Sequence, residues 1–266
     1  MKLFALNSSK DFGDRVADAL GVGLSSHEER EFDDGEHKAR PLVGVRGEDV
    51  YVIQSLHGDA DFSANDKLCR LLFFLGAVRD AGAARVTAVT PYLAYARKDR
   101  RTKSRDPLTT RYVAQMFEAM GIDAIVTLDT HNVVAFQNAF RCEAVHLDSR
   151  LVFGRHLVKS GLGGPLAVAS PDPGGVKRAQ LFQEMLEKLT GQPVGSALME
   201  KRRSAGIVSG SIMAGDVANA RVLVIDDMIS SGGTMVRAAQ ALRKGGAADV
   251  WALAAHGLFT EGAVRA

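Results

Sequence analysis

Short apolar runs of strand length alternate along this chain with longer segments whose apolar residues recur every three or four positions. The short runs are continuously apolar, which is typical of strands buried on both faces of a parallel sheet. The longer segments close at glycines such as Gly82 and Gly121, where helices are expected to end. This order predicts an α/β fold of mainly parallel sheets flanked by helices. The predicted strands are Lys2–Asn7, Val50–Leu56, Arg85–Leu93, Ala124–Asp129, Ala144–Asp148, Leu166–Ser170, Val194–Met199, Val222–Asp226 and Asp249–Ala255, and the predicted helices are Asn65–Asp80, Leu108–Met120, Arg150–Lys159, Lys177–Leu189 and Thr234–Lys244.

Two segments of the chain resemble each other, namely Val78–Val86 and Leu242–Val250. A Gly-Ala-Ala helix end is common, and it explains the shared letters by itself. It does not explain why each segment follows a predicted strand and helix at the same spacing. We therefore expect two similar domains, residues 1–147 and 148–266.

Composition narrows the functional class. Of the 266 residues, 46% are hydrophobic and 24% charged, which is globular composition. Lys plus Arg total 33 against 31 for Asp plus Glu, so no large net field attracts nucleic acid or a membrane surface. The longest apolar run, Leu71–Val78, is far below the roughly 20 residues of a membrane span. Cys69 and Cys142 stand far apart, which excludes a disulfide framework. We expect a soluble cytoplasmic protein with no nucleic-acid or membrane partner.

The strongest local signal follows the predicted strand Val222–Asp226. Two acids end the strand, small hydroxyl residues and two glycines follow, and a helix then begins. Glycines let backbone N–H groups turn toward an anion, and hydroxyls at a helix N-terminus add donors, so the segment predicts a phosphate monoester site. The acids can accept hydrogen bonds from vicinal hydroxyls or hold a hydrated magnesium ion. A sugar 5-phosphate satisfies both ends of the segment. Its residues are Asp226, Asp227, Ser230, Ser231, Gly232, Gly233 and Thr234.

This segment resembles the phosphoribosyl-diphosphate loop of type I phosphoribosyltransferases and ribose-phosphate diphosphokinases. Five further motifs, in the right order across nearly the whole chain, favour the second family and imply two domains of phosphoribosyltransferase type. They are Phe32–Glu36 (Phe-x-Asp-Gly-Glu), Pro91–Arg101 (Pro-Tyr-x-x-Tyr-Ala-Arg-x-Asp-Arg), Asp129–His131 (Asp-x-His), Ser170–Gly175 (Ser-Pro-Asp-x-Gly-Gly) and Lys201–Arg203 (Lys-Arg-Arg).

The resemblance implies transfer of the diphosphoryl group of ATP to ribose 5-phosphate, giving 5-phosphoribosyl 1-diphosphate and AMP. Such chemistry needs metal and cationic clamps more than covalent catalysis. The family's pattern then implies catalytic roles for Lys201, Arg203 and His131, and a loop carrying the first two. It implies Mg²⁺ as the cofactor. The remaining implied sites are ATP contacts at Arg97, Lys98, Asp99 and His131, a diphosphate loop of Asp172, Gly174 and Gly175, and metal contacts at His131 and Asp172.

The motif Phe32–Glu36 resembles the family's adenine-binding hairpin, which reaches the site from a neighbouring subunit. An aromatic ring can stack on the base and carboxylates can accept from its amine, so Phe32, Asp34 and Glu36 are expected to bind ATP. The resemblance therefore implies self-association into a dimer or a higher oligomer such as a hexamer.

The sequence departs from the family's pattern at several places. Ser230 and Ser231 stand where many members have Asp-Thr, and Lys98 stands where Gln is common. Pro173 removes an N–H beside the phosphate-binding glycines and should keep Asp172 extended. The second domain is expected to be short at its C-terminus relative to typical members. Two alternatives remain open: a non-catalytic regulatory relative of the synthase, and a type I phosphoribosyltransferase.

Overall fold

The computed structural model describes residues 1–204, 207–260 and 262–263, with the backbone course alone for residues 200–213. They form two units, Met1–Leu147 and Asp148–Ala266, each with its own five-stranded sheet. The first unit contains β1 (Lys2–Ala5), α1 (Lys10–Leu20), β2 (His27–Glu31), β3 (His37–Pro41), β4 (Asp49–Ile53), α2 (Ala64–Asp80), β5 (Arg85–Thr90), α3 (Thr109–Ala119), β6 (Ala124–Leu128), α4 (Val133–Ala139) and β7 (Glu143–Leu147). The second contains α5 (Arg150–Lys159), β8 (Leu166–Ser170), α6 (Val176–Thr190), β9 (Val194–Ser204), β10 (Ile207–Ala214), β11 (Arg221–Ile229), α7 (Gly233–Lys244) and β12 (Asp249–Gly257).

Both sheets are mainly parallel, which confirms the predicted α/β class. In the first unit the strand order is β1-β4-β5-β6-β7, and all neighbours run parallel. In the second unit the order is β10-β9-β8-β11-β12, and only β10 runs antiparallel to its neighbour. The strands β2 and β3 form a separate antiparallel hairpin. The carboxyl ends of the parallel strands of each sheet meet at one edge, where most of the predicted site residues lie.

The two units repeat one order of elements. The first runs β1, α1, the hairpin β2–β3, β4, α2 and β5; the second runs β8, α6, the antiparallel pair β9–β10, β11, α7 and β12. In each unit the first strand pairs in parallel with the strand after the antiparallel pair, and that strand pairs with the next. This correspondence agrees with an internal duplication.

The two resembling segments adopt the same turn. Gly82 and Gly246 have φ of 89° and 90°, a conformation that glycine adopts without the steric penalty of a side chain. After each glycine, an alanine N–H returns to the last turn of the preceding helix, Ala83 to Val78 at 3.4 Å and Ala247 to Leu242 at 3.1 Å. The shared Gly-Ala-Ala residues therefore form the same turn between helix and strand in both units.

Apolar side chains fill each sheet's faces. In the first unit the fully buried rings of Phe74, Phe117 and Phe136 bring α2, α3 and α4 onto the sheet. In the second, Phe182 of α6 packs in one cluster and Leu242 of α7 in another. Burying each such side chain stabilises the fold by about 1.5–3 kcal/mol. Within the described ranges, no helix combines the length and apolarity needed to cross a bilayer.

Candidate active site

The turn after β11 has the geometry of a phosphate-binding loop. Gly232 is left-handed, with φ 76°, and forms the N-cap of α7. The first intrahelical hydrogen bond there is donated by the Val236 N–H to the Gly232 carbonyl, so the N–H groups of Gly233 and Thr234 precede it. Thr234 Oγ lies 3.3 Å from the Arg237 guanidinium, which adds positive charge to the helix N-terminus. The loop can therefore accept a dianionic phosphate.

Two adjacent carboxylates lie near the end of β11, which continues to Ile229, beyond the strand end that the sequence predicts at Asp226. Asp227 is buried, and its N–H donates to Asp226 Oδ1 at 2.9 Å. A single guanidinium nitrogen of Arg178, on the first turn of α6, lies 3.1 Å from Asp226 and 3.3 Å from Asp227. Burial, followed by the hydrogen bond and charge of Asp227, raises the pKa of Asp226 to about 7, although Arg178 opposes this shift. The pair is thus a set of acceptors for hydroxyls or a cation.

Stability should depend on pH through Asp226. Its pKa is raised on folding, so between the unfolded and folded pKa values the native state holds the extra proton and stability falls as pH rises. The slope is at most about 1.4 kcal/mol per pH unit. Asp226→Asn should flatten this slope in urea unfolding measured from about pH 5 to pH 8. Asp249→Asn is the control, since the pKa of that residue is lowered instead; an unchanged slope in Asp226→Asn would contradict the assignment.

The turn after β8 is the predicted diphosphate loop. Asp172 is extended, with φ −160°, and caps the short 3-10 turn Pro173–Gly175 by accepting the Gly174 N–H at 3.0 Å. The extended conformation is the one that Pro173 predicts. Ser170 Oγ donates to the Asp172 carbonyl at 2.5 Å and fixes the start of the turn. The buried Gly175 lies so close that a Cβ there would stand 2.7 Å from Ser170 Oγ. The turn therefore brings backbone, without side chains, to the sheet edge.

Gly175→Ala should lower stability by about 1–3 kcal/mol, because the new methyl group must displace Ser170 from its hydrogen bond. Urea unfolding at equilibrium measures the loss. Gly163→Ala is the matched control, since the nearest atom to a Cβ at that position is 3.8 Å away. Equal stabilities of the two variants would show that the turn has room for a side chain.

In the first unit, hydrogen bonds join the loops that follow β5 and β6. Asn132 caps α4 through the Ala135 N–H at 3.1 Å, and its side-chain amide donates to Asp99 at 2.6 Å. His131 directly precedes Asn132 and is exposed. Arg97 is also exposed, whereas Lys98 Nζ lies 2.6 Å from Asp106 Oδ2. The structure thus places four of the predicted ATP contacts, Arg97, Lys98, Asp99 and His131, on two connected loops, with Lys98 paired inside its own loop.

The remaining predicted ATP contacts lie at the tip of the β2–β3 hairpin. The Phe32 N–H donates to the Glu36 carbonyl at 2.8 Å, and the Glu36 N–H donates to Asp34 Oδ1 at 3.0 Å. Phe32 is 41% exposed, and the Arg30 guanidinium carbon lies 5.3 Å from its ring centroid. An exposed ring flanked by carboxylates is suited to stacking on a base.

The helix of the first unit that corresponds to α7 is capped differently. At the N-terminus of α2, Ser63 Oγ accepts the Asp66 N–H at 3.2 Å and the Asp66 carboxylate accepts the Ser63 N–H at 2.9 Å. The next residue, Lys67, is fully buried and pairs with Asp59. A side-chain carboxylate therefore occupies the α2 end, whereas α7 begins with glycine. The repeat retains a phosphate-type loop in its second copy.

Further parts of the site differ from the sequence prediction or extend it. The predicted strand end at Met199 is wrong: β9 continues to Ser204, and its backbone pairs with β10 at Lys201 and Arg203. The side chains of both residues, and the rest of the predicted catalytic loop at positions 205 and 206, lie outside the described residues. Sequence reasoning also missed Arg178 and Asn132. The available signal for Arg178 was a basic residue shortly after a glycine pair. The signal for Asn132 was an Asn at the N-cap position directly after the Asp-x-His motif.

The predicted metal contacts, His131 and Asp172, belong to different units. Among the described side chains, no group of three or more His, Cys, Asp or Glu residues is placed to hold a metal ion. The magnesium site stays a prediction.

The fold and these loops define a protein of two phosphoribosyltransferase-type domains. Residues 1–121 match the N-terminal domain of ribose phosphate pyrophosphokinase, and residues 156–256 match the phosphoribosyl transferase domain. The chain therefore belongs to the ribose-phosphate pyrophosphokinase family.

Individual relatives agree with this assignment. The ribose-phosphate pyrophosphokinase of Caldanaerobacter subterraneus is 36% identical over 266 residues, which is 100% of this chain and 81% of the relative. Ribose-phosphate pyrophosphokinase 1 of Streptococcus pyogenes is 35% identical over 96% of this chain and 78% of the relative. The crystal structure of phosphoribosylpyrophosphate synthetase from Mycobacterium smegmatis superposes with a TM-score of 0.89 at 31% identity, covering 99% of this chain and 83% of that one.

Proposed function

We propose that this protein transfers the β,γ-diphosphoryl group of ATP to the C1 hydroxyl of ribose 5-phosphate, as a transferase of nucleotide biosynthesis. The C1 oxygen attacks the β-phosphorus of ATP. The bond between that phosphorus and the oxygen bridging the α- and β-phosphorus atoms breaks, and AMP leaves. The hydroxyl proton is released. The products are 5-phosphoribosyl 1-diphosphate and AMP.

The observation that carries this proposal is the continuity of the acid pair with the phosphate-type loop. Asp226 and Asp227 lie among the last four residues of β11, and the left-handed Gly232 forms the N-cap of α7 five residues after Asp227. A furanose 5-phosphate has vicinal hydroxyls at one end and a dianion at the other, which matches carboxylate acceptors beside N–H donors. Arg178 lies within ion-pair distance of both carboxylates and offsets their charge.

Under this proposal the nucleotide is held mainly by the first unit. Arg97 supplies an exposed cation for the phosphates, and His131 a neighbouring imidazole. Phe32, with Asp34 and Glu36, supplies a stacking surface and acceptors for the base. Because the family resemblance places that hairpin in a neighbouring subunit, we also propose that the protein assembles as a dimer or a higher oligomer.

Mg²⁺ is part of the proposal. The Asp172 carboxylate, half-buried beside two glycine N–H positions, offers the oxygen ligand that Mg²⁺ prefers. His131 would be the second contact. When bound, the ion would neutralise charge on the phosphate oxygens, which is its usual role in phosphoryl transfer. The glycine turn would bring the Gly174 and Gly175 backbone close to the same phosphates.

Ser231→Ala and Thr234→Val should test the phosphate loop. Each lost hydroxyl bond to a charged phosphate should cost about 1.5–3 kcal/mol, so the KM for ribose 5-phosphate should rise roughly 10- to 150-fold while the KM for ATP changes little. Thr190→Val, at the far end of α6, is the control, because its hydroxyl is bonded to the Leu186 carbonyl. Equal increases in both KM values would show that the loop binds something other than the sugar phosphate.

A further inference from the structure

The loop between β5 and α3 is fixed by contacts along its length. Tyr95 hydroxyl donates to Asn65 at the start of α2. The buried Thr110 hydroxyl, on the first turn of α3, lies 3.1 Å from both the Tyr95 and the Lys98 carbonyls. Further along, Asp99 accepts from Asn132. These contacts hold the loop to three elements of its own unit.

A single oxygen of the Asp106 carboxylate binds several donors in the second half of this loop. Asp106 Oδ2 accepts from Lys98 Nζ at 2.6 Å, from the Thr102 N–H at 3.0 Å, from the Thr102 hydroxyl at 2.8 Å and from the Lys103 N–H at 3.0 Å. The hydrogen bonds from Lys98 and Thr102 hold the pKa of Asp106 far below its usual range. Pro107 follows directly and keeps Asp106 out of the helix that begins at Thr109. Asp106 is therefore a charged centre around which the loop folds.

Lys98 links Asp106 to the first half of the loop. Its N–H donates to the Tyr95 carbonyl at 3.3 Å, and its own carbonyl accepts from the Thr110 N–H at 3.4 Å as well as from the Thr110 hydroxyl. Backbone and side chain of Lys98 are thus held at the same time. Its two neighbours, Arg97 and Asp99, are both predicted ATP contacts, so fixing Lys98 restricts both.

We propose that Asp106 is a positioning residue for nucleotide binding, which holds Lys98 and thereby presents Arg97 and Asp99 in a fixed geometry. This inference rests on the proposed function, since it assumes that the nucleotide is ATP at this loop. A preformed loop loses less conformational entropy when the ligand binds, so the Lys98–Asp106 ion pair should increase the affinity for ATP. Lys98 stands where Gln is common in the family, and in this chain Asp106 supplies its counter-charge.

The alternative is that Asp106 merely competes with ATP phosphates for Lys98. The two cases predict opposite signs. If Asp106 positions the loop, Asp106→Ala weakens ATP binding; if it competes, the same change tightens it. In the positioning case Lys98→Met and the double variant should resemble Asp106→Ala, because residues that act as a unit are not additive.

Titration calorimetry of ATP into the full-length protein with Mg²⁺ measures the effect. We expect Asp106→Ala, Lys98→Met and the double variant each to raise the Kd for ATP roughly 5- to 50-fold, with the KM for ribose 5-phosphate unchanged. Asp106→Asn keeps an acceptor for the Thr102 and Lys103 N–H groups, so its effect should be smaller. Glu143→Gln is the matched control, because Glu143 pairs with Arg85 elsewhere on the same unit.

Hydrogen exchange separates loop positioning from loss of folding. In Asp106→Ala the amides of Thr102 and Lys103 should exchange faster, while exchange in β5 and β6 and the urea midpoint stay as in the wild type. Wild-type ATP affinity in Asp106→Ala, or additive losses in the double variant, would overturn the inference. If the wild type itself binds no ATP and shows no turnover, the proposed function fails instead.

Discussion

Replacing Lys201 or Arg203 with alanine should reduce kcat by roughly 10²- to 10⁴-fold, by analogy with other cationic clamps on phosphoryl transfer. If these cations close on the transferring diphosphoryl group, their contacts form mainly in the transition state. Such contacts change kcat and leave ground-state binding nearly intact. The Kd for ATP, measured by calorimetry, should therefore change by less than about tenfold.

Two controls sharpen this result. Arg202→Ala, between the two positions, removes a charge to which the family pattern assigns no role here, so it should retain most of the wild-type kcat. Arg203→Lys should rescue poorly, because an ammonium group cannot grip phosphate oxygens in a bidentate manner. Wild-type kcat in both alanine variants would reduce the Lys-Arg-Arg segment to solvated charges on β9 and leave the catalytic cations unidentified.

Replacing both Asp226 and Asp227 with asparagine should lower kcat/KM for ribose 5-phosphate by roughly 10²- to 10⁴-fold at pH 8, above the raised pKa of Asp226, since each charged acceptor contributes about 1.5–3 kcal/mol. Asparagine preserves the shape of the side chains, and Arg178 then faces two neutral amides instead of two carboxylates. ATP affinity should stay within about threefold of the wild type, well under 1.4 kcal/mol.

Asp249→Asn, on the neighbouring strand β12, is the control for a general effect of charge removal. An equal loss of ATP and ribose 5-phosphate binding in the double variant would contradict the division of substrates between the acid pair and the first unit.

Much of the fold could be predicted because the strands carry their own signal. The helix Arg150–Lys159 and the strand Leu166–Ser170 have the bounds that their apolar patterns predict. The strand β2 could not be found this way, since its residues His27–Glu31 are all charged or titratable. It is held by tertiary contacts with α2 instead: the centroids of the His27 and Phe74 rings are 5.6 Å apart, and the Arg70 guanidinium lies 3.0 Å from the Glu31 carboxylate. Long-range packing overrides local preference there.

The candidate site likewise has parts that the sequence predicts and contacts that it does not. The acids, hydroxyls and glycines are contiguous, so the sequence alone predicts that they lie together between the end of β11 and the start of α7. Arg178 reaches Asp226 across 48 positions of the chain, and the Lys98 side chain donates to Asp106 across eight. No spacing rule predicts such contacts, because they depend on how α6 and the 98–106 turn pack. The extension of β9 to Ser204 likewise depends on pairing with β10.

The central claim is tested most directly by incubating the wild-type protein with ATP, Mg²⁺ and ribose 5-phosphate and following the products by phosphorus NMR. The account predicts AMP and 5-phosphoribosyl 1-diphosphate in equal amounts, and neither product when ribose 5-phosphate is omitted. Release of ADP, or of AMP without the sugar diphosphate, would contradict the proposed transfer. Binding of ATP or ribose 5-phosphate with no turnover would contradict it as well, and would identify the chain as a non-catalytic member of its family.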